Sequence, residues 1–178
     1  MKKFKNSFII SLLLLLLILL VLASCQNKMI QEPVIKVSYN SNELKVIHYL
    51  DRNNKEKEDI EEGIKDVMVG KRFIDLPMID FGNKIEIEAL NFETTEFEVY
   101  DYIVDERGNI VSDYSVEPFA ITLVDNGNAE VVFEKNEDLE IYNDYRVEGK
   151  FIHCLLIRSK IDKSSFAFGT LVLSVDTE

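Results

Sequence analysis

The stretch that most restricts the fold is "KFIHCLLIR", residues 150 to 158. Extended backbone sends successive side chains to opposite faces, so Phe151, Leu155 and Ile157 point one way while Ile152, Cys154 and Leu156 point the other. Both faces are apolar. A strand here must be covered from both sides, which places it at the centre of the fold. "SFAFGTLVLSVD" follows after the spacer "SKIDKS" and supplies a second long strand.

The rest of the region from Val34 onward also reads as strands. "VIKVSY" and "LKVIHYL" flank the turn-rich "NSNE" and predict a first hairpin. "KIEIEAL" alternates strictly, with Ile85, Ile87 and Ala89 on one face and Glu86 and Glu88 on the other. "EFEVYDYIV" comes next and is expected to pair with it as a hairpin, after which "DERGN" supplies a turn. "FAITLV" and "AEVVFE" lie either side of "DNGN", whose Asn-Gly pair is a strong hairpin signal.

One segment has helical period. Ile60, Ile64, Val67 and Met68 recur at i, i+4, i+7 and i+8, and predict an amphipathic helix over about residues 54–69 that packs on a sheet. Asn53 with Glu56 matches a capping box, acids fill the first turns, and Gly70 followed by Lys71 and Arg72 suits the carbonyl end. Gly63 works against the helix by about 1 kcal/mol relative to alanine.

Many short strands, one helix inserted between early strands and no βαβ alternation predict a mainly β fold, an antiparallel sandwich over residues 34–178. "NDYRVEGKFIHC" resembles the tyrosine corner of immunoglobulin-like domains, with Tyr145 as the corner residue. The chain has no tryptophan and lacks the paired cysteines of true immunoglobulin domains, so the resemblance implies an immunoglobulin-like architecture only.

The start of the chain has a different character. Lys2, Lys3 and Lys5 precede a run, residues 8 to 23, that is apolar except for Ser11, and the small residues Ala23 and Ser24 come last. That order is the order of a secretory signal, and the run is short for a permanent span, which needs about 20 residues. Leu22, Ala23, Ser24 and Cys25 resemble the lipobox of bacterial lipoproteins. The resemblance implies cleavage between Ser24 and Cys25, diacylglycerol on the Cys25 thiol, and signal, tether and domain boundaries at 1–24, 25–33 and 34–178. Two acyl chains hold a protein stably on a bilayer without a spanning helix. The eight residues "QNKMIQEP" after Cys25 reach at most about 29 Å, so the domain is expected close to the membrane surface.

Removal of the signal takes three lysines and no acids, leaving 17 basic against 32 acidic residues, a net charge of −15. Such a field excludes nucleic acid as a partner and favours cationic ones. With Cys25 lipidated, Cys154 has no intrachain partner and is expected as a buried core thiol. His48 and His153 are the only histidines, both in predicted strands, where they are expected in structural or rim roles. His153 and Cys154 are neighbours on one strand, so their side chains diverge and cannot share a proton. No zinc-binding histidine pair, Gly-x-Ser-x-Gly elbow, phosphate loop or calcium loop is present, and neither a metal nor a non-covalent cofactor is expected. The acids Glu86, Glu88, Glu93, Glu96 and Glu98 crowd the expected central hairpin. The reading that follows is a lipid-anchored, extracytoplasmic module at the cell membrane, with no catalytic set, that binds an envelope protein or other cationic partner. The alternatives are an immunity or inhibitor lipoprotein that captures a cationic peptide, and an envelope enzyme whose site assembles only in the fold.

Overall fold

The computed structural model describes residues 32–50, 56–113, 117–161 and 164–175. Its strands are β1 (Ile35–Tyr39), β2 (Asn42–Leu44), β3 (Val46–Leu50), β4 (Lys84–Ala89), β5 (Phe97–Val104), β6 (Ile121–Asp125), β7 (Asn128–Val132), β8 (Phe151–Ile161) and β9 (Ser164–Ser174). The helix α1 (Glu56–Met68) joins β3 to the later strands, and short 3-10 helices occupy Phe73–Asp75 and Leu139–Tyr145. Two antiparallel sheets result, in the orders β2-β1-β4-β7-β6 and β3-β9-β8-β5. The mainly β, sandwich-like expectation is met.

Burial has three layers. Ile35, Val37, Ile85 and Ile87 from the five-stranded sheet meet Val99, Leu155, Ile157 and Phe168 from the four-stranded one. The far face of the four-stranded sheet carries Tyr102, Ile152, Cys154 and Leu156, and these are covered by Ile60, Ile64 and Met68 of α1. β8 is therefore dry on both faces, as its sequence requires, and Cys154 is fully buried. The outer face of the five-stranded sheet stays in water and carries Glu86, Glu88 and Glu130 with Lys36 and Lys84.

Two expected pairings are corrected. "LKVIHYL" is not one strand: β2 pairs with β1 across the Asn40-Ser41 turn, but β3 crosses to the other sheet and pairs with β9. Lys45 stands at the crossing, where its carbonyl accepts the Thr170 hydroxyl at 3.1 Å. β4 and β5 form no hairpin; β4 lies between β1 and β7, and β5 pairs with β8. The predicted Asn-Gly hairpin forms as β6 and β7, with Gly127 at φ 116°. Tyr145 closes the second 3-10 helix at 42% exposure, away from the buried corner its resemblance implies. The helix cap expected at Asn53 lies outside the described residues. Among the described residues no helix is long and apolar enough to cross a membrane.

Gly63, unfavourable by helix propensity, has a packing reason. Tyr49 on β3 reaches under α1 and donates its hydroxyl to the Ile60 carbonyl at 3.2 Å. A Cβ at Gly63 would overlap the Tyr49 ring, and one at Gly169 on β9 would stand 2.9 Å from its other edge. The two glycines form a slot for the ring. At its other attachment points α1 is held by Glu61, which accepts the Ile110 amide at 2.9 Å, and by Glu56, which takes a two-pronged bond from Arg158.

Gly63→Ala is expected to destabilise the protein by about 1–3 kcal/mol of overpacking, although alanine gains about 1 kcal/mol of helix propensity. In a Tyr49→Leu background the same substitution should be neutral or stabilising. Urea unfolding of the four proteins as a double-mutant cycle measures this.

The helix-covered layer also makes the fold sensitive to alkali. Burial pushes the Cys154 thiol up to about 12, with the Asp101 charge adding to it, and pushes the Tyr102 phenol up to about 12. Burial, then Cys154, raises Tyr49 as well. In the unfolded chain a thiol loses its proton near 9.0 and a phenol near 10.0. Between those values and the folded ones the unfolded state binds fewer protons, so stability falls as pH rises. Unfolding free energy should be unaffected by these groups below about pH 9 and then decline by up to about 1.4 kcal/mol per pH unit for each group. Denaturant titrations between neutral and alkaline pH test this, and Cys154→Ala should delay the onset of the decline.

Candidate functional site

An open cleft of about 620 Å³ lies at the N-terminal end of α1. The first helical turn contributes Glu56 and Glu58, the entry to β5 contributes Glu96 and Glu98, and β8 contributes Arg158 and Lys160. The strand register sets Glu98 directly opposite Arg158. Arg158 donates Nε to Glu56 Oε1 at 2.9 Å and Nη2 to the other oxygen, and its guanidinium lies 4.6 Å over the Tyr100 ring. Tyr100 donates its hydroxyl to Glu98 at 2.9 Å, and burial followed by that carboxylate raises its pKa. Lys160 stands 3.8 Å from Glu96. Ser159 is buried at the back and spends its hydroxyl on Thr94 at 3.2 Å. The lining sets four carboxylates, Glu56, Glu58, Glu96 and Glu98, beside Lys57, Arg158 and Lys160, a surface of mixed charge.

The acids expected on one hairpin are thus divided: Glu86 and Glu88 face water on the outer sheet, while Glu96 and Glu98 line the cleft. Cations collect at the other end of α1. A groove of about 440 Å³ has Lys65, Lys71, Arg72 and Arg107 around Met68 and Phe73, with Glu106 and Glu148 also in its lining. Lysine is favourable at the carbonyl end of a helix. Close approach of Lys45, through a side-chain hydrogen bond and then charge repulsion, lowers the Lys71 pKa.

A third constellation was not foreseen. Asp101, His153 and Ser174 lie on adjacent strands β5, β8 and β9, on the face turned toward the other sheet. Ile103, His153 and Val172 are aligned across the ladder, so Asp101 and Ser174 are diagonal neighbours of the imidazole. His153 Nδ1 lies 2.9 Å and 3.0 Å from the two Asp101 oxygens, and Nε2 lies 2.7 Å from Ser174 Oγ. An Nδ1–H donated to the carboxylate leaves Nε2 facing the hydroxyl. These are the partners and spacing of a Ser-His-Asp triad. A triad serine must reach substrate, and here Ser174 and His153 are both fully buried. The rings of Phe133, Phe81 and Phe151 close around the imidazole edge-on at 5.0, 5.9 and 6.4 Å. In this conformation the row is a satisfied polar network inside the sandwich.

Cys154 points toward α1 and His153 toward the other sheet, so the two diverge as the strand geometry demands. His48 stacks on Phe168 at 5.2 Å, and its Nε2 is buried with no hydrogen-bond partner among the described residues. Among the described residues no three His, Cys, Asp or Glu side chains gather as a metal site. Cys25 and Ser24 lie outside the described residues.

Removing one member of the buried row leaves another without a partner, which costs about 1–3 kcal/mol or more where a charge is involved. Asp101→Leu should therefore lower stability more than Ser174→Ala, and the double change of Asp101 and His153 to leucine should cost less than the sum of the single changes. Chemical denaturation measures this. A fluorophosphonate should leave Ser174 of the native protein unlabelled, and labelling would show that the row opens to substrate.

Compared with family models, with curated proteins and with solved structures, the chain has no significant match.

Proposed function

We propose that this protein is a lipoprotein anchored through Cys25 on the extracytoplasmic face of the cell membrane, where its β domain acts as a non-catalytic binding or accessory module. The observation that carries the reading is Leu22-Ala23-Ser24-Cys25 at the end of a leucine-rich run that begins behind three lysines. The first strand starts at Ile35, ten residues after Cys25, which is the spacing of a short tether. The binding half of the reading is supported by the charged, open cleft and by the burial of Ser174 and His153.

The architecture supports the same picture. We infer an immunoglobulin-like arrangement, in which β1, β4, β7 and β6 correspond to the four-stranded sheet and β9, β8 and β5 to its three-stranded partner. The β3 edge strand and the α1 cover are additions to it. Folds of this kind commonly present loops or edges to partners.

Cells grown with a palmitate analogue should label the wild-type protein in the membrane fraction. Cys25→Ser should lose the label, and mass spectrometry of the native protein should find a lipidated Cys25 as its first residue. An intact leader joined to an unmodified thiol would overturn the anchor.

A further inference from the structure

The edges of the two sheets are treated differently. β5 is an edge strand of the four-stranded sheet, and the chain covers it: Phe119 donates its amide to the Val99 carbonyl at 2.7 Å, Val111 donates to the Ile103 carbonyl at 2.9 Å, and Ser112 Oγ accepts the Ile103 amide at 2.9 Å. β2, an edge of the five-stranded sheet, is three residues long and mostly polar. β6, at the opposite edge, is five residues long, and Thr122, Leu123 and Val124 are all exposed on it, Leu123 at 44% and Val124 at 61%. An edge of this kind is a template for another strand, and proteins usually blunt it with lysine. No lysine or arginine occurs from Glu117 to Glu134. Among the described residues the blunting features are Pro118 before the strand and a bulge between Leu123 and Asp125, which frame a short window between them.

Charge around the window has one sign. Glu117, Asp125, Glu130 and Glu134 are the ionisable residues of that stretch. Glu130 is taken by Lys84, while Asp125 accepts the neutral Asn128 amide at 2.6 Å. Glu117, Asp125 and Glu134 therefore bracket an apolar, uncharged edge with negative charge. We infer that β6 docks an extended, cationic segment of a partner protein, which adds to the five-stranded sheet as a sixth strand. Main-chain hydrogen bonds supply the attachment, the partner's apolar side chains cover Leu123 and Val124, and its lysines or arginines meet the flanking acids. A second copy of this chain is the poorer occupant, because it brings the same carboxylates to the same edge and the same excess of acids overall. The inference rests on the domain being a binding module and is independent of its anchor.

The test uses the full chain in detergent and a fluorescent nonapeptide of alternating lysine and valine, with a glutamate–valine peptide as the control. The lysine peptide should bind, more weakly as salt rises, and should slow hydrogen exchange in residues 119–125. The glutamate peptide should not bind. Leu123→Lys with Val124→Lys should weaken binding at least about tenfold with an unchanged melting curve, since both side chains are exposed. Val132→Lys, on the neighbouring strand, should weaken it far less. Equal binding by wild type and the edge variant overturns the inference, as does protection confined to the cleft at residues 96–98 and 158–160. A concentration-dependent dimer that the edge variant abolishes, seen by sedimentation without peptide, assigns the edge to self-association and also overturns it. An envelope protein retained equally by wild type and edge variant would refute the edge while leaving the binding-module reading standing; retention of no envelope protein by either form would refute that reading itself.

Discussion

Ile152, Cys154 and Leu156 point out of the sandwich on the side away from the second sheet, and two stacked sheets alone would leave them in water. Burying each such side chain contributes about 1.5–3 kcal/mol, so the fold needs a third layer. α1 provides it, and one aromatic ring stands between helix and sheet: Tyr49 has one edge against Gly63 and the other against Gly169, and its hydroxyl ends on the helix backbone. Both glycines are places where any side chain would push the layers apart. The same dry layer raises Tyr49, Tyr102 and Cys154, which ties the chemistry of the thiol to the packing of the helix.

The opposite face of the four-stranded sheet solves a different problem. Asp101, His153 and Ser174 each interrupt an apolar strand, and each alone would be costly to bury. Set diagonally across three strands, they satisfy one another, with both ring nitrogens and both carboxylate oxygens engaged. A slip of β8 by one residue would turn His153 to the helix side and leave Asp101 unpaired. The row therefore helps fix the register of the central strands, in addition to whatever stability it contributes.

How much of this could be read from the sequence follows from the range of each signal. "KIEIEAL", the Asn-Gly turn and the stripe Ile60, Ile64, Val67, Met68 are local patterns, and each became the element it predicts. The two-sided strand 151–157 forced the correct inference of cover on both faces. What failed was the choice of partner. The seven residues between β4 and β5 were expected to close a hairpin but carry the chain from one sheet to the other, and loop composition does not distinguish the two paths. Likewise "LKVIHYL" is uniform in character while its strand changes sheets at Lys45. Gly63 was read only as a cost because its contact, Tyr49, becomes visible only once β3 is placed against α1. Asp101 and Ser174 drew no attention because a lone polar residue in a strand becomes part of a site only through register.

The surface chemistry follows from the same layering. With both faces of the four-stranded sheet used for the core, only its ends, the outer face of the five-stranded sheet and the edges remain for recognition. The ends became the two concavities, acidic and basic residues mixing at the start of α1 and cations gathering at its carbonyl end, as the helix dipole favours. The outer sheet face pairs Lys36 with Glu88 and Lys84 with Glu130, leaving Glu86 bonded to the neutral Ser38 hydroxyl, and among the described residues it carries no large exposed apolar pair like that of β6. That leaves the β6 edge as the place where exposed apolar side chains and uncompensated negative charge coincide. Backbone hydrogen bonding there needs no pocket, and a fold that buries its central sheet on both faces keeps its outermost strand as the part most easily extended by another chain.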